Sequence, residues 1–189
     1  IPAGIPSQLL PPGVDFSLYA PQAADPALRD AVAKKIAAEY PALEAIYKDL
    51  HAHPELSFME TRTAALVAQE LRSLGFEVTE KVGNTGVVAV LKNGPGKTVL
   101  IRADMDALPL LEKTGVPYAS KATVKDLAGK DSPAMHACAH DTHITSLLGT
   151  ARVLTTLRDR WSGTLVLIAQ PAEEIGAWAL AMITDGLFT

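Results

Sequence analysis

Apolar residues recur along this chain with two different periods, and each change of period marks an element. Asp25 followed by Pro26 reads as an N-cap with proline at the first helical position, and Val32, Ile36, Ala37 and Tyr40 then recur at helical spacing. Pro41 is expected to kink or restart that helix. Ser57-Phe58-Met59-Glu60 has the form of a capping box, in which Ser57 and Glu60 would close the start of the next helix. Ala64, Val67, Ala68, Leu71 and Leu74 form its apolar stripe, and Gly75 stops it. Residues 76–82 and 85–91 read as strands joined by a hairpin turn at Gly83-Asn84.

Two later runs are apolar throughout, as strands buried on both faces are. Residues 98–102 lead directly into Ala103-Asp104-Met105-Asp106, and residues 163–169 lead into Gln170-Pro171-Ala172-Glu173-Glu174. Between them a helix over 144–157 carries Ile144, Leu147, Leu148, Ala151 and Leu154 on one side, with Asp141 or Thr142 as its cap. Strand, helix, strand predicts a right-handed crossover, hence an α/β fold with a largely parallel mixed sheet flanked by helices. Ligands of such sheets sit at the carboxyl ends of the strands, where these acids fall. Residues 1–24 hold Pro2, Pro6, Pro11, Pro12 and Pro21 and suit an extended arm. No repeat or low-complexity tract interrupts the pattern.

Composition narrows the function classes. The 189 residues carry 17 Lys+Arg against 21 Asp+Glu, a net charge of −4, with 48% hydrophobic and 20% charged residues. That is globular composition, with no apolar run long enough to span a membrane and no basic block to follow a phosphate backbone. Neither membrane nor nucleic acid is expected as a partner. The chain begins with Ile1. An initiator, a leader or a longer chain is therefore expected to precede it, and a lost secretory leader would place the protein outside the cytoplasm.

Residues 135–143, Met-His-Ala-Cys-Ala-His-Asp-Thr-His, place three His, one Cys and one Asp within nine positions. Cys138 and His140 can offer a thiolate and an imidazole to one divalent ion, zinc first, while Asp141 orients a ring nitrogen. A buried Cys beside exposed histidines is the plainer alternative. Glu173 and Glu174 can divide two tasks, one binding a metal and the other serving as general base, or they can mark a solvated turn. Asp104 and Asp106 fit either a metal site or a strand-end turn bridged to Arg102. A metal-free alternative makes Cys138 a nucleophile activated by a His, but that scheme needs no glutamate pair.

Several blocks, in order, resemble a known family. They are His51-Ala-His53-Pro54-Glu55-Leu56-Ser57, Glu60 to Thr63, Leu74 to Val78, Arg102 to Pro109, Met135 to His143, Gln170 to Glu174, and Asp185 to Phe188. The chain from about His51 to Phe188 is similar to the dinuclear-metal amidohydrolases, which include hippurate hydrolases, N-acyl-amino-acid amidohydrolases and auxin-conjugate hydrolases of the aminoacylase/carboxypeptidase group. The resemblance implies hydrolysis of N-acyl or aryl-acyl amino acids with two divalent ions, zinc ahead of manganese, cobalt or nickel. Cys138, His140 and Glu174 are then metal ligands, with Cys138 bridging, and Glu173 is the catalytic base. Asp106 joins it in the site by orienting a ligand, and Asp104, which stands where related enzymes have a His, is left without a role. The implied partners are a small-molecule substrate and, for the full-length protein, further copies of itself.

The chain also departs from the family. Ala139 replaces the usual Gly, the stretch from Ala122 to Ala134 is longer than usual, and Trp178 stands where small residues are common. The family continues beyond this length with more ligands and a lid domain. Residues 25–189 are therefore expected to be the leading part of a catalytic domain.

Overall fold

The computed structural model describes residues 25–176 and 178–188, without the side chain of Trp178, so the arm expected over 1–24 lies outside the described residues. The chain divides into two compact units between Ala37 and Ala38. Helix α1 (Pro26–Ala52) begins as its sequence predicts, with Asp25 Oδ1 accepting the Ala27 amide at 3.0 Å. It runs on through Pro41, which withholds only the amide that the Ala37 carbonyl would accept. Ile36 and Tyr40 are exposed, whereas Leu43, Ile46 and Leu50 pack into the core of the second unit.

Helix α2 (Thr61–Ser73) buries Ala64, Val67, Ala68 and Leu71, and Gly75 follows it at a φ of 85°. The capping box does not form. Glu55 takes its place, its two carboxylate oxygens accepting the Arg62 and Thr63 amides at 2.9 and 2.7 Å. The anionic group thus sits at the positive end of the helix, supplied from outside the local motif.

Strands β1 (Glu77–Val82) and β2 (Gly86–Asn93) form the expected hairpin, with Gly83 and Asn84 both at positive φ as a tight turn requires. Strand β3 (Thr98–Asp104) is followed by a small hairpin, β4 (Thr123–Lys125) and β5 (Asp131–Pro133), inside the stretch from Ala122 to Ala134 noted as longer than usual. Helix α3 (His140–Thr156), strand β6 (Gly163–Gln170) and helix α4 (Trp178–Thr184) complete the elements.

The main sheet has the order β1-β2-β6-β3. The crossover through α3 makes β3 and β6 parallel neighbours, as the sequence implies. The mixed sheet and its helices are as expected, but the sheet is not largely parallel: β6 also pairs with β2, antiparallel, and β1 with β2 likewise. The hairpin brings in a strand of opposite direction, and no local pattern encodes which neighbour β6 selects. Val87, Ala89 and Leu91 face Ala169, Leu167 and Leu165 across that pair and, with α2 and α3, form the core. β3 is not buried on both faces. It pairs only with β6 among the described residues, and Val99 and Leu100 are exposed.

Candidate metal centre

In the β3–β6 register Asp104 lies opposite Gln170, so both strands deliver their acidic ends to one edge of the sheet. The chain turns sharply after β6, with Ala172 at a φ of 54°, into a single 3-10 turn over Glu173–Ile175. Asp106 anchors that turn. Its Oδ1 and Oδ2 accept the Glu173 and Glu174 amides at 3.0 Å each, and the Ser57 hydroxyl donates to Oδ2 at 2.7 Å. Burial alone would raise the Asp106 pKa, but the bonds from His140, Ser57 and the two amides hold it below the usual carboxylate value.

Helix α3 starts four residues earlier than its apolar pattern suggests, so His140 occupies the first turn. The preceding Ala139 adopts a left-handed φ of 64°, a conformation that favours the glycine usual at that position in the family it resembles. His140 Nδ1 lies 2.7 Å from the Asp106 carbonyl oxygen, which can only accept, so Nδ1 carries a proton and Nε2 is the nitrogen left to meet a cation. Nε2 stands 3.7 Å from Glu173 Oε2, 4.0 Å from Glu174 Oε1 and 3.9 Å from Asp104 Oδ2. These separations are too long for hydrogen bonds. One donor atom each from Cys138, His140 and Glu174 lies within 4.8 Å of the others. Ligands on one tetrahedral ion sit roughly 3.3–3.8 Å apart, given bonds of about 2.0–2.3 Å.

The chemistry of these donors fits a divalent cation. Glu174 Oε1 is buried and has no hydrogen-bond partner among the described residues, an arrangement that costs about 1–3 kcal/mol unless something positive occupies the space. Burial would lower the His140 pKa, yet Asp106 and Asp104 raise it to about 9, so a cation binding at Nε2 must displace a proton. The Glu174 carboxylate, then burial and the charges of Glu174, Glu173 and Asp106, push the Cys138 thiol up. That is opposite to what a metal-free nucleophile needs, whereas a bound cation would reverse it. The plain alternative fails at Cys138, which is exposed, and at His136 and His140, which are buried, and holds only for the exposed His143.

Asp104, His140 and His143 form a second convergent group. It shares His140, whose Nε2 has one lone pair, so the two groups cannot both claim this ring at once. Asp104 is also bound by Arg102, as the strand-end alternative expects, and by Gln170 Nε2 at 3.0 Å.

One cluster has no counterpart in the sequence reading. His51 is buried with Nδ1 2.7 Å from Asp141 Oδ2 and Nε2 3.1 Å from Glu112 Oε1, under the rings of Tyr47 and Tyr118. Asp141 thus serves His51 rather than a metal-binding ring. A histidine in the block opening the family resemblance was the available signal for His51; nothing near Glu112 marks it. His136, equally buried, has no partner at either nitrogen, and burial lowers its pKa to about 4.

Residues 100–188 match peptidase family M20/M25/M40. The chain is 51% identical over 146 residues to the hippurate hydrolase of Campylobacter jejuni, which covers 77% of this chain and 35% of that protein. It is 50% identical over 133 residues to thermostable carboxypeptidase 2 of Saccharolobus solfataricus, covering 69% of this chain and 32% of the relative. Among solved structures, the Bacillus subtilis YXEP protein, described as a dinuclear metal binding peptidase, aligns with a TM-score of 0.71 at 38% identity, over 80% of this chain and 40% of that one. The chain spans about a third of the length of the curated relatives it matches.

Proposed function

We propose that the chain, whose residues 100–188 match peptidase family M20/M25/M40, forms part of a metal-dependent amidohydrolase cleaving the bond between an acyl or aryl-acyl group and an amino acid. The observation that carries this reading is the convergence of Cys138, His140 and Glu174 around a buried, unpartnered Glu174 oxygen. These three residues would hold a divalent metal, zinc by the softness of the thiolate. A metal held there would supply Lewis-acid chemistry, polarising the scissile carbonyl and lowering the pKa of a water molecule. Glu173, its amide tied to Asp106 and its carboxylate beside His140, takes the proton from that water and returns it to the departing amine. Asp106 orients both His140 and the glutamate turn.

In the same reading residues 25–189 are the leading part of the catalytic domain, and a lid and the contacts of a homo-oligomer come from further sequence. The relative named hippurate hydrolase favours an N-acyl substrate, and the one named thermostable carboxypeptidase a peptide. Metal analysis of the intact protein, with a panel of N-acyl amino acids and free peptides, tests this. Metal-dependent turnover of the N-acyl compounds is expected. Bound metal with no turnover would reduce the chain to a metal-binding segment, and preference for free amino-terminal peptides would make it a peptidase.

A further inference from the structure

Ser57 and Glu60, read from the sequence as the two halves of a helix cap, turn elsewhere: Ser57 donates to Asp106, and Glu60 accepts the Ala172 amide at the entry to the glutamate turn. Glu60 is fully buried. Its Oε1 accepts the Phe58 amide at 2.9 Å and the Ala172 amide at 2.8 Å, while its Oε2 accepts the Thr85 hydroxyl. Three successive amides, those of Ala172, Glu173 and Glu174, are therefore held by two buried carboxylates, Glu60 and Asp106. Ala172 is where the backbone turns through a left-handed conformation before the glutamates. Its orientation decides where both carboxylates point.

We propose that Glu60 is a positioning residue for the metal centre, fixing the aim of Glu173 and Glu174 by gripping the Ala172 amide from the start of α2. The proposal rests on the reading of Glu174 as a ligand. It depends on acceptor geometry rather than on charge. In Glu60→Gln the amide oxygen can still accept from Phe58 and Ala172, and the Thr85 hydroxyl can rotate to accept from the new NH2 group. Glu60→Met keeps the length and loses every acceptor.

The test is titration of the intact protein with cobalt(II), following the thiolate-to-cobalt band, with folding checked by circular dichroism. Glu60→Met should bind cobalt at least about tenfold more weakly than wild type, the lower end for residues that support metal ligands. Its kcat should fall with little change in KM, and Glu60→Gln should restore both. Thr85→Val, a milder change, should weaken cobalt binding in the same direction and serves if Glu60→Met does not fold. A purely structural Glu60 would lower the melting temperature and leave cobalt affinity and kcat of the folded protein unchanged; that result, or an unchanged Thr85→Val, overturns the proposal. Wild type giving no Cys138-dependent band would overturn the site reading as well, whereas a normal wild-type band with an equally strong one in Glu60→Met overturns only the role of Glu60.

Discussion

Two buried polar clusters meet where His140 and Asp141 adjoin at the start of α3, and they are built on opposite principles. Around His51 each ring nitrogen has a carboxylate at hydrogen-bond distance, Asp141 on one side and Glu112 on the other. Around His140 the carboxylates stop at 3.7 to 4.0 Å from Nε2, and one Glu174 oxygen has no partner. A closed network leaves nothing for a ligand to do and serves as structure. An open one concentrates electron pairs at a point and loses stability unless a cation answers them. The clusters share residue types, so completeness of hydrogen bonding, rather than composition, separates structure from function here.

Removing the centre of the closed cluster should have the largest effect on stability. His51→Ala strands two buried carboxylates, and breaking such a pair costs about 3–5 kcal/mol, readable as a lower denaturation midpoint. The same cluster carries a pH signature. Burial would lower the His51 pKa, but Glu112 and Asp141 raise it above the ordinary value. Its contribution is therefore complete below the unfolded pKa of about 6.5 and is lost as pH rises through the higher folded value. Denaturation across that window should show stability declining with pH in wild type and a shallower decline in His51→Ala; identical slopes would remove His51 as the source.

The open cluster should respond in function instead. Glu173→Gln keeps the shape and the Asp106 contact but accepts no proton, so turnover of an N-acyl amino acid should fall at least about 10²-fold with metal content unchanged. Near-normal rates in steady-state assays would take Glu173 out of the mechanism.

Cys138→Ser should lower metal affinity at least about tenfold, since a hydroxyl is a poor substitute for a thiolate. In wild type, iodoacetamide should alkylate Cys138 slowly when metal is bound and quickly after chelation. Fast alkylation of untreated protein with chelator-insensitive activity would instead mark a cysteine nucleophile.

The smallest effect is expected at Ala139, which immediately precedes His140 and Asp141. Glycine relieves the left-handed strain, worth about 1–2 kcal/mol, against a greater loss of unfolded-state freedom of about 0.4–1 kcal/mol. Ala139→Gly should therefore raise stability by roughly 0.5–1 kcal/mol in a denaturant titration, with metal affinity unchanged. A drop would show that the methyl group supports the loop.

Much of this was legible along the chain because it depends on neighbours. The stripes of α2 and α3, the Gly83-Asn84 hairpin and the β3-α3-β6 crossover follow from periodicity and turn chemistry. The density of His and Cys at residues 135–143 and the acids closing two apolar strands located the face where the candidate metal ligands converge. What only the folded chain decided is pairing over distance: that β6 lies between an antiparallel and a parallel partner, that Glu55 rather than Ser57 caps α2, and that Glu60 reaches Ala172, 112 positions away. A buried carboxylate takes whichever donors the packed core places beside it, because leaving any of them unmet costs more than a local motif can return. Local sequence fixes the period and the turn, while the partner of a buried charge is chosen only when the core closes.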